Sequence, residues 1–481
     1  MRFWFFLRLL GIVPALGAAA GMAALEPPPI AAPPSMFAAH RERLLAKMPP
    51  GSVAVFKSAP VADLPGNVDF EYRQNSDFWW VTGFGDPEAA AVLRKTETGA
   101  TFTLFVRRKD ARREAYDGFR PTPAEAAAAA GAQEAYLIDE VWTRLSSKDA
   151  QTGAWSGLLA GATSVFLSDG GDKEFGAKLK AAVAELATAE RPAAPVTEAR
   201  EIVHELRLVK DDEELKLLRR ASEISGRAHV RAMREAAPGK WEFEIQAALD
   251  GYCQSQGARR MAYPSIVGSG PNALTLHYDK SARQARAGEL VLNDSACEYQ
   301  YYASDITRTY PVSGKFSPEQ RAVYEVVLAA QKTAIAAVKP GVPRSDVENA
   351  ALRAQVEGLL RLGLMTGTLD ELIRNQAHRR LTLHGVSHWV GLDVHDPGRL
   401  ANSDGKPRPL EPGMVFTIEP GIYLPMAGDI PEKYQGIGVR VEDVVLVTKD
   451  GVDCLTCFVP KELADVEGAV AAGAGPAASS N

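Results

Sequence analysis

Glu289-Leu-Val-Leu-Asn-Asp294-Ser-Ala-Cys297-Glu-Tyr299-Gln300-Tyr-Tyr302-Ala-Ser304-Asp305-Ile-Thr-Arg-Thr-Tyr310 is the stretch on which the reading of this chain turns. Two β-prone runs flank a short polar cluster, which is the pattern of a hairpin turning near Tyr299-Gln300. That turn sets Asp294 and Asp305 roughly opposite one another. Cross-strand partners have Cβ atoms about 5 Å apart, and like charges at that distance destabilise a sheet. A divalent cation between the carboxylates turns the liability into a site. Taken alone, two such aspartates are an ordinary surface pattern, and a metal site needs support from the rest of the chain.

The rest supplies it. Val415-Phe-Thr-Ile-Glu419-Pro-Gly421 carries a carboxylate at the end of an apolar strand, just before a turn. In Gly438-Val-Arg440-Val-Glu442-Asp443, alternation places Arg440 and Glu442 on one strand face. Glu442 then reads as a ligand, with Arg440 fixing a neighbouring carboxylate. The chain has only 8 histidines, and three of them fall in His384-Gly-Val-Ser-His388-Trp-Val-Gly-Leu-Asp-Val-His395. The spacing of His384 and His388 is that of a zincin, but the zincin glutamate is absent and Gly385 argues against a helix. A lone histidine is usually a hydrogen-bonded core or rim residue; this cluster points to a site.

Composition narrows the function classes. The 481 residues include 54 Lys+Arg and 60 Asp+Glu, for a net charge of −6, so no basic field draws in nucleic acid or an anionic membrane. With 46% hydrophobic residues the chain has material for a real core. Four cysteines cannot make a disulfide scaffold. There is no Walker loop, Rossmann fingerprint, nucleophile elbow or internal repeat.

Residues 1–25 read as a cleavable export signal: Arg2 and Arg8, then an uncharged run from Leu9 to Leu25 ending in small-residue tracts. The expected location is periplasmic or secreted, and cytoplasmic if the segment does not act as a signal. A Pro-rich spacer at 26–35 leads into an N-terminal α/β domain at 36–195. A linker follows at 196–211. Asp211 reads as an N-cap with Glu214 at N3, opening a helix over 212–236. The second domain spans 212–467, and the Ala/Gly/Ser-rich segment 468–481 reads as a disordered tail. Cys454-Leu-Thr-Cys457 is expected on a strand with its side chains simply packed, and Cys297 is expected to be buried.

In this order, Asp294, Asp305-Ile-Thr-Arg, His384-Gly-Val-Ser-His388, Ile418-Glu419-Pro-Gly421 and Arg440-Val-Glu442-Asp443 resemble the successive metal motifs of the pita-bread metallopeptidases, the family of methionine aminopeptidase, aminopeptidase P and prolidase. Tyr72-Arg-Gln-Asn-Ser-Asp77-Phe-Trp79-Trp80-Val-Thr-Gly83-Phe is similar to the first domain of the aminopeptidase P branch. The resemblance implies an α+β pita-bread catalytic domain and two divalent metals bridged by a hydroxide. Asp294, Asp305, His388, Glu419 and Glu442 would be the ligands. Four carboxylates and one imidazole suit manganese better than zinc, with cobalt or iron as substitutes. It further implies catalytic roles for His277, His384, His395, Glu419 and Arg440, and a substrate pocket bordered by His277, His384, His395, Tyr423 and Arg440. The expected activity is release of an N-terminal residue that precedes proline. The rival readings are a prolidase restricted to Xaa-Pro dipeptides and a non-catalytic module that binds peptides or proteins. A homodimer or homotetramer is expected, with Trp79 and Trp80 either in the core or at a subunit interface. Tyr301 and Ser304 stand where the family commonly has glycine, and Asp294-Ser-Ala296 replaces its Asp-Ala-Gly.

Overall fold

A computed structural model describes residues 31–62, 70–152, 154–188 and 191–473. The proposed signal at 1–25 lies outside them. The first domain is built on a six-stranded mixed sheet. Its order is Glu134–Leu137, Ala100–Val106, Ala90–Lys95, Ser52–Lys57, Ser164–Ser168 and Val196–Glu198. The central strand Ser52–Lys57 is buried on both faces, as its Ser-Val-Ala-Val-Phe run requires.

Three expected boundaries change. The segment 196–211 is no bare linker: Val196–Glu198 is the sheet's edge strand and Arg200–Leu208 is a helix. The extended spacer ends at Pro33, which keeps extended backbone, because Pro34 opens the helix Pro34–Lys47, where a missing N–H costs nothing. At the far end, Leu463–Ala471 is helical, so the tail does not begin at 468; Val466 and Val470 are buried and hold that helix down.

The long helix Asp212–Glu235 starts with the expected capping box: Asp211 accepts from the N–H groups of Glu213 and Glu214, and Glu214 reaches back. Leu217, Leu218, Ala221, Ile224, Ala228 and Ala232 bury at helical spacing, each large one stabilising the fold by about 1.5–3 kcal/mol. Helices Glu242–Ser255, Pro318–Ala337 and Arg344–Arg361 complete the outer layer. Inside lie small antiparallel sheets: Ile266–Ser269 with Leu290–Asp294 and Thr307–Pro311, Val415–Ile418 with Asp443–Val447 and Val452–Cys454, and Gly421–Tyr423 with Gly438–Arg440. Among the described residues no helix is long and apolar enough to cross a membrane.

The deciding hairpin turns one residue later than expected. Tyr299 pairs with Tyr302, leaving Gln300 and Tyr301 as a two-residue turn with φ of 50° and 70°. Both values lie where glycine is at ease and tyrosine is not. Tyr301 is held there by the first domain, its ring 4.7 Å from Trp79. Trp79 is 4% exposed and Trp80 fully buried, which makes them core residues and assigns Trp79 to the seam between the two domains of one chain. Cys454 and Cys457 are not merely packed: they form a disulfide. Cys297 is buried as expected.

Candidate active site

The later turn changes the register. Asp294 pairs with Thr307, not Asp305, so the two aspartates sit diagonally. The phenol of Tyr263 joins them, donating toward Asp294 Oδ1 at 2.7 Å and Asp305 Oδ1 at 2.5 Å. Sequence reasoning missed Tyr263, which precedes its strand by three residues and carries no periodic signal. Thr307 was missed as well, although it lies two residues beyond Asp305 and alternation would have found it. Its hydroxyl donates to Glu442 Oε2 at 2.6 Å.

Two further strand ends bring in the remaining carboxylates. Glu419 follows Val415–Ile418, and Glu442 sits between Gly438–Arg440 and Asp443–Val447. Ligand atoms of Asp305, His388 and Glu442 all lie within 4.8 Å of one another. His388 Nε2 is 3.3 Å from Asp305 and 3.5 Å from Glu419. Its Nδ1 faces the Trp389 carbonyl at 3.1 Å. A carbonyl can only accept, so Nδ1 carries the proton and Nε2 is turned to the carboxylates as a ligand would be.

Arg440 fixes the other side. It donates to Asp294 Oδ2 at 2.5 Å, to the Thr307 hydroxyl at 3.0 Å and to the Tyr423 hydroxyl at 2.6 Å. Tyr423 is 2.8 Å from His384 Nε2, while His384 Nδ1 lies 2.7 Å from the Gly385 carbonyl. The chain therefore runs one way: guanidinium to phenol, phenol to imidazole, imidazole to carbonyl. Burial and Arg440 push His384 down to about 4, in keeping with that neutral imidazole. Gly421 makes the arrangement fit, since a Cβ there would come within 2.6 Å of the Tyr423 hydroxyl.

These groups line one cavity of 530 Å³, with Ile266, Leu276 and Val394 giving it an apolar flank. His277 and His395 face it from other segments, and the His395 ring stands 4.3 Å from that of His388. Of the residues expected at the site, all line the cavity except Tyr423, which is buried behind Arg440 and His384.

The electrostatics ask for cations. Burial pushes the Glu419 carboxyl up to about 7. Burial and then Asp305 push Glu442 well above the carboxylate range. Burial alone would lower His388, but Asp305 and Glu419 outweigh it and raise it to about 9. Protons are held here because negative charge is crowded out of water, and the donor set of oxygen atoms and one imidazole fits hard or borderline divalent ions. These carboxyls and His388 thus bind more protons in the native metal-free state than in the unfolded one, and the stability that Glu419 contributes is lost as pH rises from about 4.5 through 7. Bound cations would remove that loss. The gap in thermal midpoint between metal-loaded and chelated protein is expected to widen from pH 5 to pH 8; a gap independent of pH would contradict the cation site.

Such a fold and site define a metal-dependent peptidase. The sequence profile of metallopeptidase family M24 matches residues 216–449, and that of the aminopeptidase P N-terminal domain matches 37–154. Xaa-Pro aminopeptidase of Escherichia coli is 39% identical over 436 residues, covering 90% of this chain and 96% of that protein. Human Xaa-Pro aminopeptidase 3 is 33% identical, covering 86% of this chain and 80% of its own. Aminopeptidase PepP of Pseudomonas aeruginosa superposes with a TM-score of 0.87 at 38% identity, over 92% of this chain and 99% of that one. The chain belongs to metallopeptidase family M24, in its pita-bread fold with an aminopeptidase P first domain.

Proposed function

We propose that this chain is an Xaa-Pro aminopeptidase, releasing the N-terminal residue from peptides with proline second. The observation that carries this reading is the convergence of Asp294, Asp305, His388, Glu419 and Glu442 on one cavity that His384 and Arg440 also line, with Tyr423 joining those two from behind. The E. coli relative has been solved zinc-substituted with product and, separately, with the inhibitor Pro-Leu.

Two divalent cations, manganese in our reading, would be held by those five side chains and supply a lowered water pKa and a polarised carbonyl. The protein's own residues do the rest. Arg440 pairs with Asp294 Oδ2 and aims that carboxylate. His388 presents Nε2 because the Trp389 carbonyl fixes its tautomer. His395, on the cavity wall beside His388, is placed to donate to the oxygen on which charge develops. Glu419 stands between His388 and His384, at 3.5 and 3.6 Å, and is our choice to carry the proton toward the leaving amine. His277 lines the same cavity and would meet the peptide there. An Xaa-Pro bond has no N–H, so it asks for no acceptor, and Ile266, Leu276 and Val394 offer the ring an apolar flank.

The test is release of the first residue from an Xaa-Pro-Yaa tripeptide, an Xaa-Pro dipeptide and an Xaa-Ala-Yaa control, by protein stripped with chelator and reloaded with manganese. Metal-dependent cleavage of the tripeptide but not the control is expected. Cleavage of the dipeptide alone would make it a prolidase, and no metal binding would make it a binding module.

Export belongs to the same proposal. It is supported by the run behind Arg2 and Arg8 and by the Cys454–Cys457 disulfide, which an oxidising compartment permits. A mature N-terminus near residue 25 in the osmotic-shock fraction would agree; intact Met1 in the cytosol would overturn it. Self-assembly as a dimer or tetramer rests on family resemblance, and a monomeric sedimentation mass would remove it.

A further inference from the structure

Between the two domains lies a charged cluster that the site as described does not use. Arg207 is 3% exposed, at the end of the helix Arg200–Leu208. It donates to three carboxylates: Asp77 Oδ1 at 2.6 Å, Asp393 Oδ2 at 2.6 Å and Asp396 Oδ1 at 2.5 Å. Asp77 belongs to the first domain, in the helix Ser76–Thr82; Asp393 and Asp396 bracket His395 on the wall of the cavity. Lys210 takes the second oxygen of Asp396 at 2.9 Å, and the Ser76 hydroxyl donates to Asp393 at 2.6 Å.

The cluster reaches the site through the backbone. Asp396 Oδ1 accepts the Asp393 N–H at 3.3 Å, closing a small ring around Val394 and His395. The Asp396 N–H donates at 2.9 Å to the Trp389 carbonyl, the same oxygen that fixes the His388 tautomer. Gly391 leaves room for this, because a Cβ there would meet Asp396 Oδ2 at 2.4 Å.

A buried ion pair is weak evidence for stability, since desolvation offsets most of the attraction, and a merely structural seam would be cheaper as hydrophobic packing. What these charges do provide is direction. A planar guanidinium meeting two carboxylates of one short loop fixes that loop in a way apolar contacts would not.

We propose that Arg207 is a positioning residue, which holds the segment from Asp393 to Asp396 so that His395 is presented to the substrate, with the first domain's Asp77 as its anchor. The inference rests on the peptidase reading for its kinetic part only. Loss of a supporting partner of this kind costs roughly 10- to 100-fold in activity.

The experiment is a double-mutant cycle in the full chain. Arg207→Lys keeps the charge and loses the fork. Asp77→Asn removes the anchor's charge at nearly constant volume and stays two domains' seam away from the cavity. Each is expected to lower kcat roughly tenfold or more with metal content unchanged. In a His395→Ala background each should lower it by less than about twofold, since the group being positioned is gone. With ¹³Cε1-labelled histidine and diamagnetic zinc in place of manganese, whose paramagnetism would broaden a ring beside His388, the His395 resonance, assigned by its absence from His395→Ala, should shift in both variants. The same fold-loss on the His395→Ala background, an unchanged kcat, or an unmoved His395 resonance would overturn the proposal. The resonance decides even if the wild-type chain cleaves no Xaa-Pro peptide, a result that would sink the peptidase reading instead.

Discussion

Replacing Glu442 by glutamine is expected to abolish peptidase activity and the retention of metal, while making the chelated protein more stable. The two halves have one cause. Glu442 is 1% exposed, and its backbone is fixed independently of its carboxylate: its N–H donates to the Thr307 carbonyl at 3.0 Å, and its own carbonyl accepts from Arg308 at 2.5 Å. The side chain can therefore change without releasing the strand. Without cations, burial and the neighbouring Asp305, Glu419 and Asp294 press its pKa well above the ordinary range. A raised carboxylate stabilises the native state at low pH and loses that contribution as pH rises. Glutamine resembles the protonated form at every pH, so the chelated variant should melt higher than chelated wild type at pH 8, with a flatter pH dependence. In the presence of manganese the order reverses, because one of the ligands is missing. Metal assistance supplies several kcal/mol of transition-state stabilisation, and each 1.4 kcal/mol is tenfold, so the rate should fall by at least on the order of 10³-fold. Tripeptide release, metal content and melting at two pH values read all of it. Wild-type activity, or a chelated variant that melts lower at pH 8, would contradict the assignment of Glu442.

How much of this was legible in the chain depends on how far each feature reaches along it. The capping box at Asp211 and Glu214 and the helix behind it follow from neighbours a few residues apart, and the sequence places them within a residue. The strand-end carboxylates Glu419 and Glu442 and the imidazole of His388 stand in short motifs whose chemistry is recognisable as a set. Registers are harder. A hairpin turn displaced by one residue moves every cross-strand partner by two, and that is why Asp294 meets Thr307. The displacement was hidden because a tyrosine at φ 70° is an unlikely turn residue until Trp79 is seen beneath its ring. Tyr263 and Arg207 are harder still: their partners lie 31 and 42 residues away for the first and 130, 186 and 189 for the second. No local pattern encodes such a meeting. The Cys454–Cys457 pair shows the opposite failure, a short spacing that admits packing and bonding alike until the geometry is given.

The largest effect on folding is expected at Arg308, the residue that closes the back of the site. Its side chain and that of Asp443 are both fully buried and lie 2.7 Å apart. The guanidinium also donates to the carbonyls of Thr307, Glu442, Val459 and Pro460, which ties the hairpin, the Glu442 strand and the C-terminal segment to one group. Arg308→Met removes all of these and leaves Asp443 with Lys461, Gln331 and the Thr456 hydroxyl. Breaking a buried pair from one side costs about 3–5 kcal/mol, because the surviving charge stays out of water. Urea unfolding at pH 7 should show a loss of that order. Burial works against ionisation of Asp443, but Arg308 and Lys461 outweigh it and hold the carboxyl at about 2. A depressed carboxylate contributes stability above its unfolded pKa, near 3.8, and loses it as pH falls toward 2. Without Arg308 that depression shrinks, and acid unfolding should begin at higher pH. The decisive comparison is Arg308→Met with Asp443→Leu in one chain. If the cost lies in a carboxylate that has lost one of its two cations, removing it recovers part of the loss, and the double variant is more stable than Arg308→Met alone. If the double variant is instead the less stable of the two, Arg308 acts through the carbonyls it gathers, and the charge pair is incidental to the fold.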